Sequence, residues 1–359
     1  MSRDRGPVEV SWFSALCDDD YEFLGVPDPA LRSSWAHCRD ITLAAERGGF
    51  DNILLPSGYA LGIDPIAFAG GMAPLLDRMH LLVAVRGAEL WTPQLARQLA
   101  TLDQMLGGRL TINIISSDRP GETVASEPRY ARTLAMMQML RSLLDGRPTE
   151  IDGVELTPPR ISTASGRCPP MYFGGLSEPA RDVAAQAADV YLMWPDTLPA
   201  VASIIADLRA RADRYGRTLR FGYRVHVIVR DTETEARAAA ARLVSRLDDD
   251  EGDRIRQRSL DSGSVGVARQ AELRDAATDD GFVEEHLWTG IGRGRSGCGA
   301  AIVGDPDQVV AKLEAYRDLG IDAFILSGYP HLDEANRFAR DVLPRLDHVP
   351  LTRPPAAPA

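Results

Sequence analysis

Residues 220–230, RFGYRVHVIVR, set an arginine and a histidine two positions apart inside an apolar run. In a β-strand, residues two apart share a face, so Arg224 and His226 point together while Tyr223, Val225 and Val227 point the other way. A guanidinium recognises oxyanions through paired hydrogen bonds, and an imidazole can give or take a proton beside them. Alone, Arg224 also reads as the partner of a core carboxylate and His226 as a structural histidine. Together on one strand face they point to a site.

Other residues at strand ends extend the set. Trp12, Ser57, Asn113 and Trp194 close their apolar runs, and Tyr329 follows the last one in LSGYPH (326–331). Arg293 and Arg295 lie in a glycine-rich loop, GIGRGRSGCG (290–299). Arginines, a histidine, a tyrosine and a tryptophan with few carboxylates describe an anion pocket. A glycosidase would need two facing carboxylates, and His226 has no spaced His or Cys companion for a metal. Trp194 also reads as packing, Tyr329 as the brace of a turn, and the glycine-rich loop as a plain flexible connection. GGLSEPA (174–180) is a strand end, two glycines and a helix start, with Ser177 at the cap and Pro179 in the first turn. Free backbone N–H groups there suit a phosphate, although the same residues make an ordinary capped turn. EPRYAR (127–132) brings Arg129 and Tyr130 to another helix start as candidate partners of that phosphate.

The elements that must position these groups are legible as alternating short apolar runs and amphipathic stretches. Strands are expected at 8–13, 52–57, 80–85, 110–115, 171–175, 190–194, 220–229 and 323–327, with helices over 33–47, 93–106, 131–145, 198–215, 232–246 and 331–342. Runs rich in Val, Ile and Leu suit strands covered on both faces, and strict βα alternation gives a parallel sheet. Eight units predict a closed (β/α)8 TIM barrel whose site lies at the C-terminal ends of the strands. No GxGxxG follows the first strand, which argues against a dinucleotide fold. Residues 247–304 form a long connection between the seventh unit and the eighth strand, expected to be an insertion lid. A single domain spans 1–347, and the Pro/Ala-rich end, 348–359, reads as a disordered tail.

The net charge of −11 over 359 residues argues against a nucleic-acid surface. Cys17, Cys38, Cys168 and Cys298 are far apart with no CxxC pair, so neither a disulfide framework nor a metal is expected. No apolar run has the length of a membrane span, and the first residues carry no signal-peptide core. A cytoplasmic protein is the expectation.

Taken in order, ARQLATLDQMLGGRLTINIISS, PPMYFGGLSEPA, YLMW, RFGYRVHVIVRDTETEA, GRSGCGAAIVGD and LSGYPHLDEA resemble the bacterial luciferase-like flavin monooxygenases. Within them, the chain is most similar to the two-component alkanesulfonate monooxygenases, over residues 8 to 347. The resemblance implies a (β/α)8 fold with an insertion lid, and reduced FMN (FMNH2) supplied by a separate NAD(P)H-dependent flavin reductase. It implies that O2 adds to the flavin to give a peroxyflavin. An alkanesulfonate-like organosulfur substrate is then oxygenated and its C–S bond cleaved to an aldehyde and sulfite, in a homodimer or homotetramer. The family's sulfonate and peroxide pocket falls on Trp194, Arg224, His226, Arg295 and Tyr329. Its flavin contacts fall on Ser57, Asn113, Glu122, Arg129, Tyr130 and Ser177. An anionic substrate and a charged flavin adduct about 4 Å apart would repel by about 4 kcal/mol at an effective dielectric near 20, which Arg224 and Arg295 would offset. Tyr329 and His226 would be the hydrogen-bond donors, or the acid and base.

The sequence departs from that family at Leu61, where the relatives carry a cysteine. It departs also at Cys17, at Leu176, and in a shortened segment between Glu122 and Arg129. These departures leave open a sulfone, an amine or a specialised metabolite as substrate, or a flavin-binding protein without catalysis.

Overall fold

The computed structural model describes residues 6–352 apart from 59–61, 88, 118–120, 123, 152, 157–161 and 258–262. Eight parallel strands close into a barrel: β1 (Glu9–Phe13), β2 (Asn52–Leu55), β3 (His80–Arg86), β4 (Leu110–Ile115), β5 (Met171–Phe173), β6 (Val190–Met193), β7 (Arg220–Val229) and β8 (Ala323–Ser327). β8 closes the ring on β1, with Glu9 opposite Ala323 and Ser11 opposite Ile325. The fold is the expected TIM barrel. Helices cover it from outside, and their ends follow local chemistry. Helix Trp35–Gly48 starts at Ser34, whose hydroxyl accepts the His37 N–H, and stops at Gly49 with φ +99°.

Alternation divides each strand between two cores. On the outer side, Tyr223 stacks on Tyr316 of helix Pro306–Leu319 with ring centroids 4.2 Å apart, and Val225 and Val227 join the apolar layer beneath the helices. On the inner side, the barrel floor is polar. The Glu9 carboxylate accepts from Tyr172 Oη at 2.7 Å and from Ser11 Oγ at 3.2 Å, and Asn52 donates to Thr111 Oγ1 at 3.0 Å.

Two expectations shift here. Trp12 does not face the mouth. Its ring packs on the helix side, 5.2 Å from Phe50 and 6.2 Å from Phe338, because Phe13, one residue later, takes the inward position. The chain also stays packed beyond residue 347, where the sequence places the start of the tail. His348 pairs with Val8 and binds Asp51 through Nδ1 at 2.9 Å, and the buried Leu351 donates its N–H to Glu9 Oε2 at 2.9 Å. The Pro/Ala composition hides this segment's role, which is to satisfy a buried carboxylate at the barrel floor. Residues 353–359 lie outside the described residues.

Between β7 and β8 the connection is structured. Helices Glu233–Leu243, Asp249–Gln257 and Val265–Asp275 lead to the short strands Phe282–Glu284, Leu287–Trp288 and Ala301–Gly304. β7 is ten residues long and serves two neighbours on one edge. Arg220–Tyr223 pairs with β6, and His226–Val229 pairs with Ala301–Gly304, while β8 takes the other edge at Gly222–His226. The strand Ala301–Gly304 is therefore stitched onto the barrel rim, and it brings the loop before it over the mouth.

Candidate active site

β7 aims Arg224 and His226 inward, as its alternation requires. Arg224 is 3% exposed. Its Nη2 donates to Ser327 Oγ at 2.8 Å and its Nη1 to the Val225 carbonyl at 3.0 Å, and the guanidinium lies 4.3 Å over the Phe13 ring. It has no carboxylate ion-pair partner among the described residues. Burial lowers its pKa from the ordinary arginine value.

His226 is fully buried, with Nδ1 2.7 Å from Ser327 Oγ. Burial, then the charges of Arg224 and Arg295, push its pKa well below the ordinary value, so the ring is neutral. The Cys298 carbonyl, near the ring but off hydrogen-bond geometry, opposes that shift weakly. The Ser327 hydroxyl accepts from Arg224, and Nδ1 is the one acceptor for its proton among the described residues. This places the imidazole proton on Nε2, which is buried and has no hydrogen-bond partner among the described residues.

Arg295 arrives from the inserted loop. Its Nη1 donates to Tyr329 Oη at 2.7 Å and to Asp19 Oδ2 at 2.9 Å, and its guanidinium stands 5.6 Å from the Phe13 ring centre. Against the cost of burial, Tyr329 and Asp19 hold its pKa above the ordinary value. Burial raises that of Tyr329, with Arg295 opposing, so the phenol keeps its proton. The structure thus brings four of the five expected pocket residues into one cup over Phe13. The fifth, Trp194, is half-buried beneath the insertion. A side chain on Gly266 would begin 3.0 Å from its Cζ3, and one on Gly297 3.2 Å from its Cζ2. Its contact is with the inserted segment.

The sequence reading missed two parts of this cup. The few carboxylates of the mouth come from the loop after β1, which supplies Asp19 and Asp20. Asp20 Oδ1 accepts from the backbone N–H and Nδ1 of His331, each at 2.9 Å, and Oδ2 meets His37 Nε2 at 2.8 Å. Burial would raise its pKa, but the two histidines hold it well below the usual carboxylate range. His331 packs edge-on to Tyr329 at 5.1 Å and leaves Nε2 buried without a partner among the described residues. Three consecutive aspartates after the first strand were the available signal. In the same loop, burial pushes the Cys17 thiol up to about 12, which keeps it protonated.

The expected flavin contacts form two groups. Asn113 shares the inward face of β4 with Thr111 and makes no side-chain hydrogen bond among the described residues. Ser57 accepts from Arg86 Nε at 3.2 Å, and Arg86 also bonds Ser117 Oγ. Arg86, a charged strand end, went unread in the sequence. The second group surrounds the turn after β5. Ser177 caps helix Glu178–Ala187, accepting the Ala180 N–H at 3.4 Å. A Cβ on Gly174 would lie 2.0 Å from the Leu192 carbonyl oxygen, so only glycine fits. A Cβ on Gly175 would come within 3.3 Å of Tyr130 Oη. Arg129 lies over the Tyr130 ring at 5.0 Å, and its buried Nε has no partner among the described residues. Bare glycines, a helix N-terminus, a phenol and an unsatisfied guanidinium N–H fit a phosphorylated cofactor. Glu122 pairs instead with Arg132, at 3.4 Å. Leu61 lies outside the described residues.

The luciferase-like monooxygenase family model matches residues 23–323. The chain is 64% identical over 354 residues to a sulfoquinovose monooxygenase of Novosphingobium aromaticivorans, covering 96% of this chain and 98% of that protein. It is 52% identical to a sulfoquinovose monooxygenase of Agrobacterium fabrum, covering 96% and 91%. Among solved structures, a long-chain alkane monooxygenase matches with a TM-score of 0.76 at 16% identity, over 96% of this chain and 91% of that one, a likeness of fold.

Proposed function

The chain belongs to the luciferase-like monooxygenase family and is a monooxygenase, and from that premise we propose that it is a flavin-dependent monooxygenase of a sulfonate. Sulfoquinovose, named in both relatives, is the first candidate substrate. Arg224 carries this reading. A buried guanidinium with no carboxylate partner among the described residues pays several kcal/mol of desolvation that an incoming anion offsets. Arg295 supplies a second positive charge to the same anion.

FMN would be held by both groups of residues, its phosphate by Ser177, Arg129 and Tyr130 and its ring by Asn113 and Ser57. Reduced and bound, it supplies the two electrons that let O2 oxygenate carbon. The overall balance is sulfonate, FMNH2 and O2 to aldehyde, sulfite, FMN, water and a proton. The chain's own groups bind and orient. Arg224 and Arg295 hold the sulfonate. His226 Nε2–H and the Tyr329 hydroxyl donate to oxygen atoms that gain negative charge. The insertion acts as a lid that excludes water. An NAD(P)H-dependent flavin reductase is the expected partner, and the enzyme works in the cytoplasm as a homodimer or homotetramer.

The test combines pure enzyme, a flavin reductase, FMN, NADH and O2 with sulfoquinovose and a series of alkanesulfonates, and assays sulfite. Sulfite from none of them would remove the sulfonate reading.

A further inference from the structure

We infer that Asp19 reads hydroxyl groups of the substrate and so selects a polyhydroxylated sulfonate over a plain alkanesulfonate. This rests on the sulfonate site proposed above.

A carboxylate in a cup built for an anion needs a reason. Asp19 repels the sulfonate and competes with it for Arg295, to which Oδ2 is bound at 2.9 Å. Its other oxygen, Oδ1, is buried and has no hydrogen-bond partner among the described residues. Ionised, a carboxylate only accepts. A sulfonate also only accepts, and an alkyl chain does neither, so neither can satisfy Oδ1. A hydroxyl can.

The surroundings point the same way. His226 Nε2 and His331 Nε2 are likewise buried without partners among the described residues. The two histidines flank Tyr329, with ring centroids 5.1 Å away in each case. An alkyl chain would leave these groups unpaired in a dry site, which is costly for each. A polyol offers both donors and acceptors. Asp19 is the charged member of the set and the one joined to a sulfonate-binding arginine, so a hydroxyl a few bonds from sulfur would reach it.

The experiment uses the full-length enzyme with flavin reductase, FMN, NADH and O2. It compares sulfoquinovose with hexanesulfonate, which has no hydroxyl. kcat/KM for sulfoquinovose is read from sulfite release, and hexanesulfonate is read as a competitor through its Ki. In Asp19→Asn, Arg295 would keep the amide oxygen, so an NH2 donor takes the free acceptor position. Asp19→Ala removes both oxygens, and Asp19→Asn carries the test should it fail to fold. The variants are expected to lower kcat/KM for sulfoquinovose by about 10- to 100-fold. They should also shift the ratio of its KM to the hexanesulfonate Ki by about tenfold or more. An unchanged ratio in a folded variant overturns the assignment and leaves Asp19 as a partner of Arg295 alone. Wild-type enzyme that releases sulfite from alkanesulfonates but none from sulfoquinovose would overturn it too, whereas sulfite from neither would overturn the proposed function itself.

Discussion

The imidazole of His226 lies nearly parallel to the ring of Tyr329, 28° between planes and 5.1 Å between centroids. Burial keeps the first neutral and the second protonated. Two groups that each hold a proton at neutral pH therefore stand side by side, next to two permanent cations. Such a set stabilises developing negative charge without creating any of its own.

Arg224→Met should abolish most turnover of a sulfonate, about a hundredfold or more in kcat/KM, as loss of a charged hydrogen bond in a dry site costs. Stability should hold or rise, because the variant removes a buried charge with no carboxylate partner among the described residues. Sulfite assay and thermal melting together check this. A melting temperature that falls in step with activity would mark Arg224 as a structural residue.

Stability should decline as pH falls below about 6.5, the unfolded histidine value. A depressed folded pKa means the unfolded chain binds the proton first, so each such histidine contributes a slope of up to about 1.4 kcal/mol per pH unit down to its folded pKa. His226 is one, and His80, pushed down to about 4 by burial, is another. His348, raised by its bond to Asp51, acts in the opposite sense: its contribution is full below about 6.5 and is lost as pH rises through its folded pKa. Melting curves from pH 7.5 to 5 on wild type and His226→Asn should show the variant with the shallower slope.

Asp20→Asn should flatten the acid limb. The folded pKa of Asp20 lies below the ordinary carboxylate value, so its contribution is full above that ordinary value and disappears as pH falls through the folded one. The variant should also loosen His331, whose backbone and ring both bind Asp20 Oδ1. Equal acid midpoints for wild type and variant would remove Asp20 from this role.

Arg129→Ala should weaken FMN binding by about tenfold or more, since a charged contact to phosphate is lost. The melting temperature of the apoprotein should move little, since Arg129 loses only its contact with the Tyr130 ring and one long bond from Nη1 to the Ser116 carbonyl, 3.5 Å. Equilibrium binding of FMN and of reduced FMN under anaerobic conditions reads the effect directly.

Arg295→Ala should uncouple the enzyme. With its ties to Tyr329 and Asp19 gone, the inserted loop is less firmly held over the mouth. NADH consumption should continue while sulfite per NADH falls and hydrogen peroxide per NADH rises. Unchanged coupling would show that the loop is held by other contacts.

The parts of this molecule that were legible in its sequence obey short-range rules. Period-two alternation is enough to place Arg224 and His226 together and Tyr223 on the opposite side. Repeated βα units are enough to close a barrel and set Tyr329 at its rim. Trp12 escaped because the phase of a five-residue strand turns on its last residue. Arg86 escaped because a charged strand end looks like one that faces water. Asp19 and Asp20 took their meaning from partners 276 and 311 positions away, a relationship no local pattern encodes.

The double service of β7 has a bearing on how such an enzyme can be altered. Since His226–Val229 is knitted to Ala301–Gly304 by backbone pairing, the downstream border of the insertion is anchored at the height of the imidazole itself. Upstream, Gln270 donates to the Pro195 carbonyl and accepts the Gly299 N–H, and Arg269 pairs with Asp196, so the loop that carries residue 295 is pinned from both sides. The inserted region is a roof on two fixed beams, and remodelling that keeps both offers a route to new substrate shapes that leaves the underlying charge layout in place.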